Sequence, residues 1–276
     1  MTNRETQSLP AFITLCVVTL IAAAAMLAGS YKWWSTLPQT QASYFRHIAQ
    51  TTSADQKLIL SRFATWFDHD NPQAHIDIAA ASLALHEGAR GLRELQLVNP
   101  TPASQLLKSQ LLLEDGQANA AAELLNQLIT DPQTDENTLV LACLANASAG
   151  QAPACQSVAA RVSSPEATTS VLRAQGDTTT LAAALYAKGL LLSSQRALAN
   201  EPITPTRNLL LARINYDLHT EASLQQARDL LTIVLKLNPI DLEARQLLVA
   251  TYQDLGDTPN AVVQTDLVNK LLAGRP

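Results

Sequence analysis

The feature that most constrains this chain is a spacing that recurs. In residues 241–272, Leu242, Arg245, Leu248, Val249 and Tyr252 fall at helical spacing on one stripe. Gly256 follows four residues after Tyr252 and Ala261 nine after it, and Ala261, Thr265, Val268 and Leu272 make a second stripe. Residues 105–132 repeat the offsets with Leu112, Gly116 and Ala121, followed by Leu125, Leu128 and a stop at Pro132. Residues 135–162 repeat them again with Asn146, Gly150 and Cys155, although the second helix is short. A fourth stretch, 206–239, carries Tyr216 and Ala227, with two extra residues in its turn. A glycine at the turn can take the positive φ that ends a helix. The proline of Asn238-Pro239 stops the helix before it. Each copy therefore reads as a pair of short helices. The alternative is a helical bundle with no repeat.

These residues resemble the tetratricopeptide (TPR) family, whose pattern is W-x2-L-G-x2-Y, then an Ala, an aromatic and a Pro, over 34 residues. Leu248, Tyr252 and Ala261 match it, while Arg245, Val249 and Thr265 stand where the family has Trp, Gly and an aromatic residue. The resemblance implies an all-α fold, an α-solenoid of helical hairpins over residues 55–276. It also implies a surface, lined by the first helices, that binds an extended peptide or a partner's helix. Polar positions on those helices are the partner-binding candidates: Gln105, Lys108, Asn208, Arg213, Asn215, Arg245 and Gln246. In the third copy Cys143 takes the family's Gly position and Cys155 its Ala position, which meet where the two helices come closest. The resemblance thus implies a Cys143–Cys155 disulfide, and with it an oxidising compartment. Two small buried thiols are the alternative.

Ahead of the repeats, residues 1–10 form a short polar tail and residues 11–30 run without one charge. About 20 apolar residues suffice to span a bilayer. Lys32, Trp33 and Trp34 follow as a membrane-interface anchor would. A cleaved signal peptide ending near Ala28-Gly29-Ser30 is the rival. The apolar run is longer than the usual signal core, and Arg4 is the only basic side chain before it. A buried soluble helix is disfavoured because the run is apolar on every face. Positive charge barely fixes the orientation; the cysteine pair favours the bulk of the chain outside the cytoplasm. Cys16 lies within the apolar run and reads as a small buried residue.

Residues 31–54 read as a connector. Helices are expected over 55–68, 73–87 (ended by Gly88), 89–98, 165–175 and 178–200, the last a single long helix. The Pro-rich stretch 201–205 is a possible boundary between subdomains. Five to six hairpins exceed the three or so that a repeat array needs.

Chemistry is hard to find. His47, His69, His75, His86 and His219 form no HExxH face, and no G-x-S-x-G elbow or Gly-rich phosphate loop occurs. Acidic pairs such as Asp135-Glu136 stand at turns, where carboxylates cap amides. Cys143 and Cys155 have no third and fourth ligand for zinc. Beyond residue 34, 17 Lys and Arg face 23 Asp and Glu, with no basic stripe for nucleic acid. The expectation is a membrane-anchored scaffold without a cofactor that binds a protein partner or assists assembly of an envelope or membrane complex, which resembles bacterial membrane-anchored TPR proteins. A structural accessory subunit of a stable membrane complex is the alternative, and an enzyme is disfavoured.

Overall fold

The structure is a computed structural model that describes residues 39 and 41–274. The expected membrane segment 11–30 and its interface residues Lys32, Trp33 and Trp34 lie outside the described residues. Among the described residues there are helices and no strand, and no helix is long and apolar enough to cross a membrane. The chain divides into two compact units, one ending at Ala81 and one beginning at Ser82. The division does not fall at 201–205.

The first unit holds α1 (41–49), α2 (Ala54–Phe67) and most of α3 (Pro72–Ala84). Helix α1 corrects the expectation of a plain connector over 31–54. Ala42 and Phe45 lie one helical turn apart and pack with Ala64, Phe67 and Ala74. Phe45 stacks on both Phe63 and Phe67, each with ring centroids 5.6 Å apart. Arg46 reaches Asp77 at 3.0 Å.

The second unit continues with α4 (Gly88–Leu95), α5 (Pro102–Glu114), α6 (Ala118–Leu128), α7 (Glu136–Ser148) and α8 (Ala152–Ala159). Then follow α9 (Pro165–Ala174), α10 (Thr178–Ala187), α11 (Leu191–Ala197), α12 (Pro205–Leu218), α13 (Glu221–Leu237), α14 (Leu242–Asp254) and α15 (Thr258–Ala273). From α4 onward each helix packs on the next, and α5 on α7, α7 on α9, α10 on α12 and α12 on α14. Side-chain caps start most of them. Thr101, Asp135, Ser164, Asp177, Thr204, Thr220, Asp241 and Asp257 each accept a first-turn backbone N–H. Such a cap stabilises by about 1 kcal/mol.

The recurring turn proves more regular than its sequence signature. After Leu112, Asn146 and Tyr252 come Gly116, Gly150 and Gly256, with φ of 86°, 73° and 74°. The next amide then donates back to the carbonyl of that reference residue: Gln117 to Leu112 at 2.8 Å, Gln151 to Asn146 at 2.7 Å and Asp257 to Tyr252 at 2.8 Å. This bond satisfies an otherwise orphaned helix carbonyl. Two further copies escape the sequence pattern. Leu190 donates to Leu185 at 3.1 Å after Gly189, and Glu87 donates to Ser82 at 2.8 Å after His86.

Gly189, with φ 73°, splits the single helix expected over 178–200 into α10 and α11. Likewise His86, with φ 57°, ends α3, and Gly88 begins α4 rather than closing the helix before it. The turn between α12 and α13 differs: His219, φ 51°, precedes a capping box made by Thr220 and Ser223.

Small residues sit where the two helices of a hairpin meet, twelve apart in sequence. The pairs are Ser109 with Ala121, Cys143 with Cys155, Ala182 with Ser194, and Val249 with Ala261. All but Val249 are buried. Ser194 Oγ donates to the Ala182 carbonyl at 2.7 Å. Cys143 and Cys155 lie at disulfide distance, with Cα atoms 4.3 Å apart, at the short edge of the range such a bond spans. The core is one large cluster from α5 to α10, followed by smaller ones at α10–α12 and α12–α14.

Candidate functional site

The seven polar positions singled out by sequence fall into three groups. Asn208 and Asn215 are buried, at 1% and 2% exposure, which removes them from any accessible face. Asn215 donates to the Leu211 carbonyl one turn back at 2.8 Å and accepts from Gln195 of α11 at 3.4 Å. Short amides on a helix turn inward to such partners when a neighbouring helix covers them.

Arg213 and Arg245 are committed to internal contacts. Arg213 pairs with Glu243, joining α12 to α14. Arg245 donates to the Pro239 carbonyl through Nε at 2.9 Å and Nη2 at 2.6 Å, and to Gln264 of α15 at 2.9 Å. Gln246 is exposed on α14.

Gln105 and Lys108 form the third group. Both line a cavity of about 240 Å³ with Leu95, Gln96, Val98, Pro100, Ser104 and Leu124. Lys108 and Leu124 also line a neighbouring cavity of about 370 Å³ with Leu112, Gln117, Ala120, Glu123 and Gln127. The two adjoin through the shared residues, giving a groove built from the end of α4 and from α5 and α6. Its floor is leucine and its rim carries Gln96, Gln105, Gln117 and Gln127. Each side-chain amide offers donors and an acceptor, which is what an extended backbone presents in return. Lys108 and Glu123 are its charged members.

A buried polar cluster behind this region escaped the sequence reading altogether. Glu114, the last residue of α5, is 1% exposed. Its Oε1 accepts from His86 Nδ1 at 2.8 Å and from the Leu192 amide at 3.0 Å; its Oε2 accepts from the Ser193 amide at 3.3 Å. A carboxylate there meets the unpaired amides that open α11. Burial pushes the Glu114 pKa up, but the His86 hydrogen bond, the amides of Leu192 and Ser193 and the His86 charge together outweigh it. Its carboxyl is therefore held below the ordinary 4.5.

Ser193 Oγ donates to the Leu113 carbonyl at 2.6 Å, and Arg196 donates to the carbonyls of Leu113 and Glu114, each at 2.7 Å. Helices α5 and α11 are thereby joined across 78 residues of chain. A cavity of about 390 Å³ lies alongside, lined by Gly116, Ser148, Thr178, Ser193 and Arg196 among others. No periodicity reports such a pairing; in the sequence Glu114 stands with Asp115 between the apolar run 111–113 and Gly116, as an ordinary exposed helix end would.

Among the described residues, no group of three His, Cys, Asp or Glu side chains is placed to hold a metal ion. No protein-family model matches the chain, and no curated protein matches it.

Proposed function

We propose that the chain is a membrane-tethered, TPR-like helical-repeat scaffold that holds an extended segment of a protein partner in the groove of α4, α5 and α6. The observation that carries this reading is the position of Lys108 at the join of the two cavities, with Gln105 beside it in the first. A leucine floor and a rim of amides suit a peptide that presents its backbone, and of the two charged residues, Lys108 and Glu123, it is Lys108 that suits an acidic group on it. The repeated turn supports an α-solenoid, since units that cannot bury their own faces must stack. The charge-free run 11–30 supports the tether. The Cys143–Cys155 pair supports a position outside the cytoplasm, where such bonds persist.

A second reading, an accessory subunit fixed in a larger membrane complex, draws on α15. It leaves Val262, Val263 and Leu272 exposed at 62%, 55% and 46%. One experiment separates the two. A photo-crosslinking amino acid is placed at Gln105 or at Val262 of the full chain in its native membrane. The scaffold reading expects an adduct at position 105 that Lys108→Glu abolishes. An adduct confined to position 262 favours the subunit, and none at either position overturns both.

A further inference from the structure

Helix α2 is apolar on two faces. Leu58, Ser61 and Ala64 are buried in the first unit. Opposite them Ile59, Phe63 and Trp66 recur at i, i+4 and i+7, the spacing of a second stripe. This stripe stays uncovered, with Trp66 76%, Ile59 55% and Phe63 46% exposed. Together with Arg62 the three line a shallow cavity of about 280 Å³ in which Arg62 is the one charged residue. Phe45 stacks behind Phe63 and Phe67 and holds the aromatic platform in place. An exposed Trp beside Phe, Ile and Arg on a helix face is the make-up of an interfacial membrane contact. There the rings sit at headgroup level and the guanidinium reaches lipid phosphate.

We propose that this face of α2 lies on the lipid surface, with Trp66, Phe63 and Ile59 in the interfacial layer and Arg62 among the headgroups. The proposal rests on the tether reading of residues 11–30. The occupant follows from the length of chain between them. Ten residues separate Ser30 from the start of α1 at residue 41, a reach of at most about 35 Å when fully extended. The first unit is thus confined near the bilayer. For a tethered patch the local concentration of its target is high, so three apolar side chains suffice where a free domain would dissociate.

The full chain is reconstituted into phosphatidylcholine vesicles containing a minority of phosphatidylglycerol and brominated either near the headgroup or near the bilayer centre. In Trp33→Phe/Trp34→Phe, Trp66 is the one remaining tryptophan. The proposal expects its fluorescence to be quenched, more strongly by the shallow bromines, and less so when Arg62→Glu is added. Trp66→Phe reports Trp33 and Trp34 alone. Quenching in Trp66→Phe with none in Trp33→Phe/Trp34→Phe overturns the α2 contact and leaves the tether standing. Blue-shifted but unquenched Trp66 emission overturns it in favour of a protein cover. Quenching in neither variant overturns the tether, and this proposal with it.

Discussion

Helices α7 and α15 belong to copies of the same hairpin pattern, yet they are buried very differently. In α7 every residue from Thr138 to Asn146 is buried, because α5, α6, α8, α9 and α10 surround it. In α15 only Ala261 and Val268 are buried, and Val262 and Val263 face out. The lesson is that a repeat sets which residues meet inside one hairpin, while the neighbours decide how many faces are covered. Around α7 the surroundings are tightened further by the Glu114 cluster, which draws α11 onto α5. The α14–α15 hairpin has α12 and α13 on one side through α14 and no later element among the described residues.

The largest test of this contrast is Glu114→Ala. It strands the His86 side chain and the amides of Leu192 and Ser193, and breaking a buried pair in this way costs about 3–5 kcal/mol. Urea unfolding followed by circular dichroism is expected to show that loss. A change under 1 kcal/mol would erase the distinction between the two regions. The same site predicts a pH dependence. A carboxylate whose folded pKa is depressed stabilises above its unfolded value and ceases to as pH falls through the folded one. The advantage of the native chain over Glu114→Gln is therefore full above about pH 4.5 and fades below it.

Opening the cysteine pair comes next. Cys143→Ala/Cys155→Ala is expected to cost about 3 kcal/mol, from the freedom returned to the unfolded chain. Alkylation without reductant should label neither thiol in the native protein; two labelled thiols would remove the pair from the comparison. At the other end, Val268→Ala deletes about two methylenes' worth of burial, about 1.5 kcal/mol. Amide exchange should quicken in α14 and α15 and stay unchanged in α7.

The smallest effect contrasts two turns. Both His86 and His219 hold positive φ, which L residues adopt at a cost. His219 is exposed, so His219→Gly is expected to gain about 1 kcal/mol. His86→Gly removes the partner of Glu114 and is expected to destabilise. Equal signs for the two would show that the His86–Glu114 contact contributes nothing.

Much of the helix pairing was legible because it is local. Leu112, Gly116 and Ala121 announce a turn and a close approach within nine residues, and Tyr252, Gly256 and Ala261 do the same. Leu185, Gly189 and Ser194 carry the same offsets, hidden because serine replaced alanine and the flanking residues are good helix formers. Ser82, His86 and Gly91 were hidden because histidine occupied the left-handed position. Helix α1 went unread because its inward residues, Ala42, Phe45 and Ala49, make a stripe too short to distinguish from a connector. In the candidate site, Gln105 and Lys108 were chosen by the same rule that chose Asn208 and Asn215. The rule places a residue on a first helix and says nothing of whether another helix lies over it.

What the sequence by itself determined is short-range: the helix pairs whose turns carry Gly116, Gly150 and Gly256, and the direction in which the chain reverses there. Those follow from backbone sterics and from a period of 3.6 residues, both written within one or two turns of chain, whereas the meeting of Cys143 and Cys155 was implied only by the family resemblance. Only the tertiary structure decided that Glu114 is buried against α11, that Asn208 and Asn215 are covered, and that Lys108 opens onto a groove. Each of these depends on elements far apart in the chain, and a carboxylate becomes a structural anchor only when distant amides and a histidine arrive to satisfy it.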